Sequence, residues 1–155
     1  MKKSIVIIAV MLISFGIKAM AGNDDDCYLK TADKLYFGKD IKVGLTHTKI
    51  IYPDGTLTEV LNRDITAYRH HNKVYMMMPV ICDKNDTLCL AMMEHISSKK
   101  GFSVYCYRCC DKDFYFYDPG NVYKNIFFVY KDGKFYKRIE EDQTEALKSF
   151  GIKVI

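Results

Sequence analysis

The sequence predicts a mainly β fold of the α+β kind: a single antiparallel sheet, strongly curled or barrel-like, carrying two short helices. Three observations predict it. From Cys27 onward Tyr, Phe, Val, Ile and Thr recur in short runs cut by Gly, Asp and Asn, as strands require. Three pairs of these runs flank tight-turn residues. Only two stretches change to helical spacing, and many short strands with few helices favour an antiparallel sheet that manages its own edges.

The hairpins come first. Thr48 to Tyr52 and Thr56 to Leu61 flank Pro53-Asp54-Gly55, where proline presets φ and glycine accepts a positive φ. Ile65 to Arg69 and Lys73 to Met78 flank His70-His71-Asn72, in which asparagine tolerates the left-handed conformation. Ile126 to Tyr130 and Lys134 to Ile139 flank Lys131-Asp132-Gly133, and Asp-Gly is a strong hairpin signal. Further strands are predicted at Cys27–Lys30, Lys34–Phe37, Phe102–Arg108 and Phe114–Tyr117, the last aromatic on both faces.

The two helices are predicted at Thr87–Ser97 and Asp142–Phe150. The first carries Leu88, Ala91, Met92, His95 and Ile96 at helical spacing, with Thr87 as N-cap. The second has Asp142 as cap, Glu145 three residues on, an apolar face of Ala146, Leu147 and Phe150, and Gly151 as the stop.

The N-terminus predicts export. Lys2 and Lys3 form a basic start, Ile5 to Ile17 an apolar run, and Ala19-Met20-Ala21 the small-x-small pattern of a signal-peptidase site. The run is about 13 residues, too short for a helix to cross a hydrocarbon core of about 30 Å. Cys27 follows three aspartates, which is no lipobox. The expected organisation is a signal peptide over 1–21, a disordered leader over 22–26 and one β-rich domain over 27–155, periplasmic or extracellular, with no membrane span in the mature chain. Lys2, Lys3 and Lys18 leave with the signal and no acid does, so the formal charge falls from +4 to +1. No basic block stands out, which argues against nucleic acid as a partner.

All 6 cysteines survive cleavage, an even number in an exported chain, so disulfides are expected. Cys82 and Cys89 flank a polar turn-rich loop and are the expected pair, worth about 2.5 kcal/mol by loop closure. Cys27, Cys106, Cys109 and Cys110 join the disulfide candidates without an assigned pairing. Adjacent Cys109 and Cys110 point to opposite faces of a strand and do not suit each other.

Other motifs read as structural. Cys106-x-x-Cys109-Cys110 lies on strand-like sequence, where a redox motif wants a helix start, and it lacks a second ligand pair for zinc. His70-His71 is a turn whose neighbouring side chains diverge, and His47 and His95 stand far off in sequence. Asp83-x-Asn85-x-Thr87 begins like a calcium loop but has Leu88 where glycine is needed. Ser97-Ser98-Lys99-Lys100 places a serine three residues before a lysine, but at a predicted helix end. Asp86-Thr87-Leu88 makes Thr87 a possible O-glycosylation site for a Bacteroidetes host, and Asn85-Asp86-Thr87 is a sequon for a eukaryotic one. No catalytic, cofactor or metal residue is assigned.

Several segments together carry a resemblance. Thr48-Lys49-Ile50-Ile51-Tyr52, Asp54-Gly55, Arg63-Asp64-Ile65-Thr66-Ala67-Tyr68 and Asn72-Lys73-Val74-Tyr75 resemble small exported proteins of Bacteroidetes bacteria, in which an Asp-Ile-x-x-Tyr/Phe strand pairs with a Gly-Lys-x-Tyr/Phe strand. Met92-Met93-Glu94-His95-Ile96, Gly101-Phe102-Ser103-Val104-Tyr105 and Phe128-Val129-Tyr130-Lys131-Asp132-Gly133-Lys134 continue the layout. Asn72 stands where those relatives often have glycine, and the cysteines are not typical of the group. The resemblance implies an envelope location and a β-rich fold, and it brings no catalytic residues. It supplies no function; the absence of catalytic spacing and the tyrosine-rich strands make the expected function that of a non-enzymatic envelope protein that binds a surface polysaccharide or another envelope protein. A carbohydrate-binding module is the first alternative and a small hydrolase the second.

Overall fold

Strand-forming runs joined by turns that accept positive φ build nearly all of the structure, a computed structural model that describes residues 27–82, 84–110 and 123–152. The strands are β1 Cys27–Thr31, β2 Leu35–Gly38, β3 Asp40–Val43, β4 His47–Ile51, β5 Leu57–Leu61, β6 Ile65–His70, β7 Lys73–Ile81, β8 Thr87–Lys99, β9 Phe102–Cys110, β10 Tyr123–Lys131 and β11 Lys134–Ile139. All three expected hairpins form, as β4–β5, β6–β7 and β10–β11. Their turns hold His71 at φ 48°, Asn72 at 62°, Asp132 at 49°, and Gly55 and Gly133 at 84° and 80°. Phe114–Tyr117 lies outside the described residues.

The strands form two sheets, not the single one expected. Eight make an antiparallel sheet in the order β11-β10-β9-β8-β7-β6-β1-β2, and β3-β4-β5 form a second. Neither is closed or curled, so the barrel-like shape is not found. The physical reason lies at the β1–β2–β6 end. There the apolar face is covered by the second sheet, so it has no need to fold onto itself: Cys27, Leu29 and Ile65 of the large sheet pack with Ile41, Ile50 and Val60 of the small one. Gly38 permits the close approach, since a Cβ there would lie 2.7 Å from the Ile51 carbonyl oxygen.

The first expected helix is also corrected. Thr87–Lys99 is the 13-residue strand β8, and Thr87 opens that strand instead of capping a helix. Met92 and Met93 turn to opposite faces, Met92 toward the seam between the sheets and Met93 into a core with Met78, Tyr105 and Phe128. Met93 is the one buried residue of β8, and Leu88, Leu90 and Ile96 stay exposed, so apolar residues do not alternate along it in the way that marks a strand in sequence. The second expected helix is present as a 3-10 segment, Glu141–Phe150, kinked at Gln143. No side chain caps it, Asp142 included, but Gly151 ends it at φ 79° as expected. Its Leu147 is buried against Val104, Val129 and Ile139.

One row of side chains crosses all eight strands in direct register: Tyr36, Leu29, Tyr68, Tyr75, Glu94, Cys106, Phe127 and Ile139. Cross-strand partners share a face, so this face carries the small sheet at one end and the 3-10 segment at the other. Among the described residues no helix is long and apolar enough to cross a membrane.

Candidate functional site

A cleft of about 720 Å³ opens where the two sheets meet. The β1–β2 turn contributes Asp33 and Lys34, β2 contributes Tyr36, β5 contributes Glu59, and the 3-10 turn Asn62–Asp64 contributes Arg63 and Asp64. Local chemistry fixes these walls. Thr31 Oγ1 donates to Asp33 Oδ1 at 2.9 Å and accepts the Lys34 N–H at 3.1 Å, which shapes the turn. Asn62 ties the 3-10 turn down: its Nδ2 donates to the Gly44 carbonyl at 2.8 Å, and its Oδ1 accepts from buried Thr48 Oγ1 at 2.8 Å. Arg63 and Asp64 stand 3.8 Å apart and well exposed, a pair too loose and wet to hold each other strongly. Glu59 meets Lys49 at 2.7 Å, and this partner holds its carboxyl below the usual carboxylate range.

A hydroxyl–imidazole relay lies elsewhere, on β8 and β9. His95 Nε2 is 2.8 Å from Ser98 Oγ, which is 2.8 Å from Ser103 Oγ. Burial lowers the His95 pKa against an opposing backbone hydrogen bond at Ser97, so the ring is neutral at physiological pH. Ser97-Ser98-Lys99-Lys100 thus belongs to a strand end and turn, not a helix end. In the cross-sheet row, Lys73 Nζ meets Glu94 at 3.0 Å, and Cys106 is half-buried opposite Glu94. Asn125 joins that end of the row to the 3-10 segment through Glu141 Oε1 at 3.2 Å.

The cysteines do not meet as expected. In the β7–β8 hairpin Cys89 faces Val80, a bulge puts Ile81 opposite Thr87, and the Cys82 N–H bonds the Asp86 carbonyl at 2.9 Å. Cys82 and Cys89 are therefore offset across the hairpin, and the expected bond is not formed; directly opposed residues suit a disulfide far better than diagonal ones. Cys82, Cys89 and Cys106 are free thiols, and Cys27 is buried with its Sγ 3.7 Å from the Lys39 carbonyl. Cys106 lies mid-strand, and Cys109 and Cys110 end β9 opposite Lys124 and Tyr123. Asn85 and Thr87 are both exposed at this hairpin end. Asp83 lies outside the described residues.

His70 and His71, expected to diverge, converge instead. Their ring centroids are 3.8 Å apart, and Asp40 at the start of β3 places Oδ1 3.0 Å from His70 Nε2. Asp40 is the partner that sequence could not supply, since 30 residues separate it from His70. Among the described residues these three form the one group of His, Cys, Asp and Glu side chains arranged to hold a metal ion. His47 lines the cleft, and His95 stays with its serine. No family model, curated protein or solved structure matches the chain.

Proposed function

We propose that the chain is an exported, non-enzymatic binding protein whose ligand seat is the cleft between the two sheets, and that its partner is a surface polysaccharide. The observation that carries this reading is the cleft itself. Its volume falls in the range of small-molecule sites. Its lining includes Tyr36, the carboxylates of Asp33, Glu59 and Asp64 and the guanidinium of Arg63, and hydroxyl-rich ligands are recognised by planar hydrogen-bonding groups with an aromatic face. Glu59 is kept ionised by Lys49, which suits hydrogen-bond acceptance and disfavours general-acid catalysis, where a raised carboxyl pKa is needed. Binding to an envelope protein is the competing outcome for the same cleft.

The test is a glycan array probed with the mature chain, followed by titration of any hit. Binding should weaken at least tenfold in Tyr36→Ala and Arg63→Ala, both of which alter the cleft. A chain that binds no saccharide, or binds one equally well in both variants, removes the polysaccharide reading. A hydrolase reading has one favouring observation, the Ser98–His95 contact with a neutral imidazole. Labelling of Ser98 by a fluorophosphonate, abolished in His95→Ala, would establish that reading instead.

A further inference from the structure

We propose that Asp40, His70 and His71 form a binding site for a divalent transition ion of the zinc type. Neighbouring side chains on an extended strand point to opposite faces. Here β6 ends at His70, and His71 takes the left-handed conformation at φ 48°, which turns the chain and brings its ring back onto that of His70. The rings lie 3.8 Å apart at 39°. Each of the three residues offers one ligand atom, and these atoms lie within 4.8 Å of one another. A tetrahedral ion with bonds of about 2.0–2.1 Å needs ligand atoms about 3.3 Å apart. Rotation of the exposed His71 side chain closes that difference.

A backbone group also steadies one of the three side chains. The Ile41 N–H donates to Asp40 Oδ1 at 2.8 Å and orients the carboxylate, as backbone groups do for metal-binding side chains. Two imidazoles with one carboxylate select zinc and its transition-metal neighbours over calcium and magnesium, which take oxygen ligands. Three protein ligands leave a position for water or for a ligand from a partner. Asp40 belongs to the small sheet and His70 to the large one, so the ion would pin the two sheets together. None of the three residues lines the cleft, so the inference is independent of the function proposed above.

The test titrates Zn2+ alone into the untagged mature chain and reads the ring nitrogens of all 4 histidines by NMR. His70 and His71 should shift, while His47 and His95 stay in place. Thermal unfolding should rise by roughly 5–10 °C at a hundredfold excess over Kd, and Ca2+ should give no rise. His71→Asn keeps a residue that tolerates positive φ and should weaken Zn2+ binding at least tenfold; Asp40→Asn should do the same. Shifts that miss His70 and His71, as when thiols take the ion, overturn the site. So does a His71→Asn chain that binds Zn2+ with unchanged affinity.

Discussion

Cys106 shows how far position governs a side chain. Burial pushes its thiol up to about 11, helped by Glu94 and Glu141 and opposed by Arg108 and Lys73. At pH 8 roughly one thiol in a thousand is then ionised, against a tenth or more for an ordinary cysteine. The sign follows directly. The folded state prefers the protonated thiol, so this contribution to stability is complete below the thiol's ordinary pKa and is lost as pH rises through about 11. Cys106 should therefore react with iodoacetamide far more slowly than exposed Cys89 at pH 8. Peptide-resolved alkylation time courses check this, and equal rates would contradict it. Asn62 acts through hydrogen bonds. Asn62→Ala strands the Thr48 hydroxyl, buried to 1% exposure, and releases the Gly44 carbonyl. An unsatisfied buried polar group costs about 1–3 kcal/mol, so urea denaturation should show a loss of that size. A variant as stable as the parent would mean that Asn62 does not anchor the cleft wall.

Among the elements, β8 and the 3-10 segment show two ways of covering a sheet. β8 stays a strand because β7 pairs with it from Thr87 to His95 and β9 from Glu94 to Lys99, while Met92 and Met93 give its two faces an apolar contact each. The 3-10 segment has no side-chain cap and owes its place to packing. Leu147, at 2% exposure, is its one buried residue, set against Val104, Val129 and Ile139. Leu147→Ala should cost about 2–5 kcal/mol, the range for a large-to-small change in a core. Hydrogen exchange should show residues 141–150 and the β11 edge losing protection first. Uniform loss across both sheets would show that the segment is not a separately docked unit.

For the whole molecule, export and modification meet in one measurement. Cleavage after Ala21 would leave Gly22 as the first residue, and the intact mass of the native exported protein should equal that of residues 22–155. A mass that still includes 1–21 contradicts export by this signal. A further mass step of a saccharide on the peptide holding Thr87 would establish glycosylation there. Thr87 is exposed and caps no helix, so a sugar on its hydroxyl would displace no capping bond. The two-sheet arrangement also places the cleft and the histidine pair at separate parts of the same seam. The Asn62 and His71 variants should therefore affect polysaccharide and zinc binding independently.

Local signals were legible wherever one residue decides the backbone. Gly55, Asn72, Asp132 with Gly133, and Gly151 mark turns and a helix end because few residues tolerate their φ, and the structure has each of them in that conformation. Strand character was legible from β-branched and aromatic runs for β1, β2, β4 to β7 and β9 to β11. Long-range packing was not. Leu88, Ala91, Met92, His95 and Ile96 fit a helix by spacing, and only cross-strand pairing with β7 and β9 makes them a strand. The second sheet was hidden because strands of two sheets carry the same pattern as strands of one; which face covers which is settled when β3–β5 fold back over β1. The candidate sites were hidden for the same reason. Asp40 reaches His70, and Tyr36 joins Arg63, only because separate strands converge at the seam between the sheets, and no local spacing encodes that convergence.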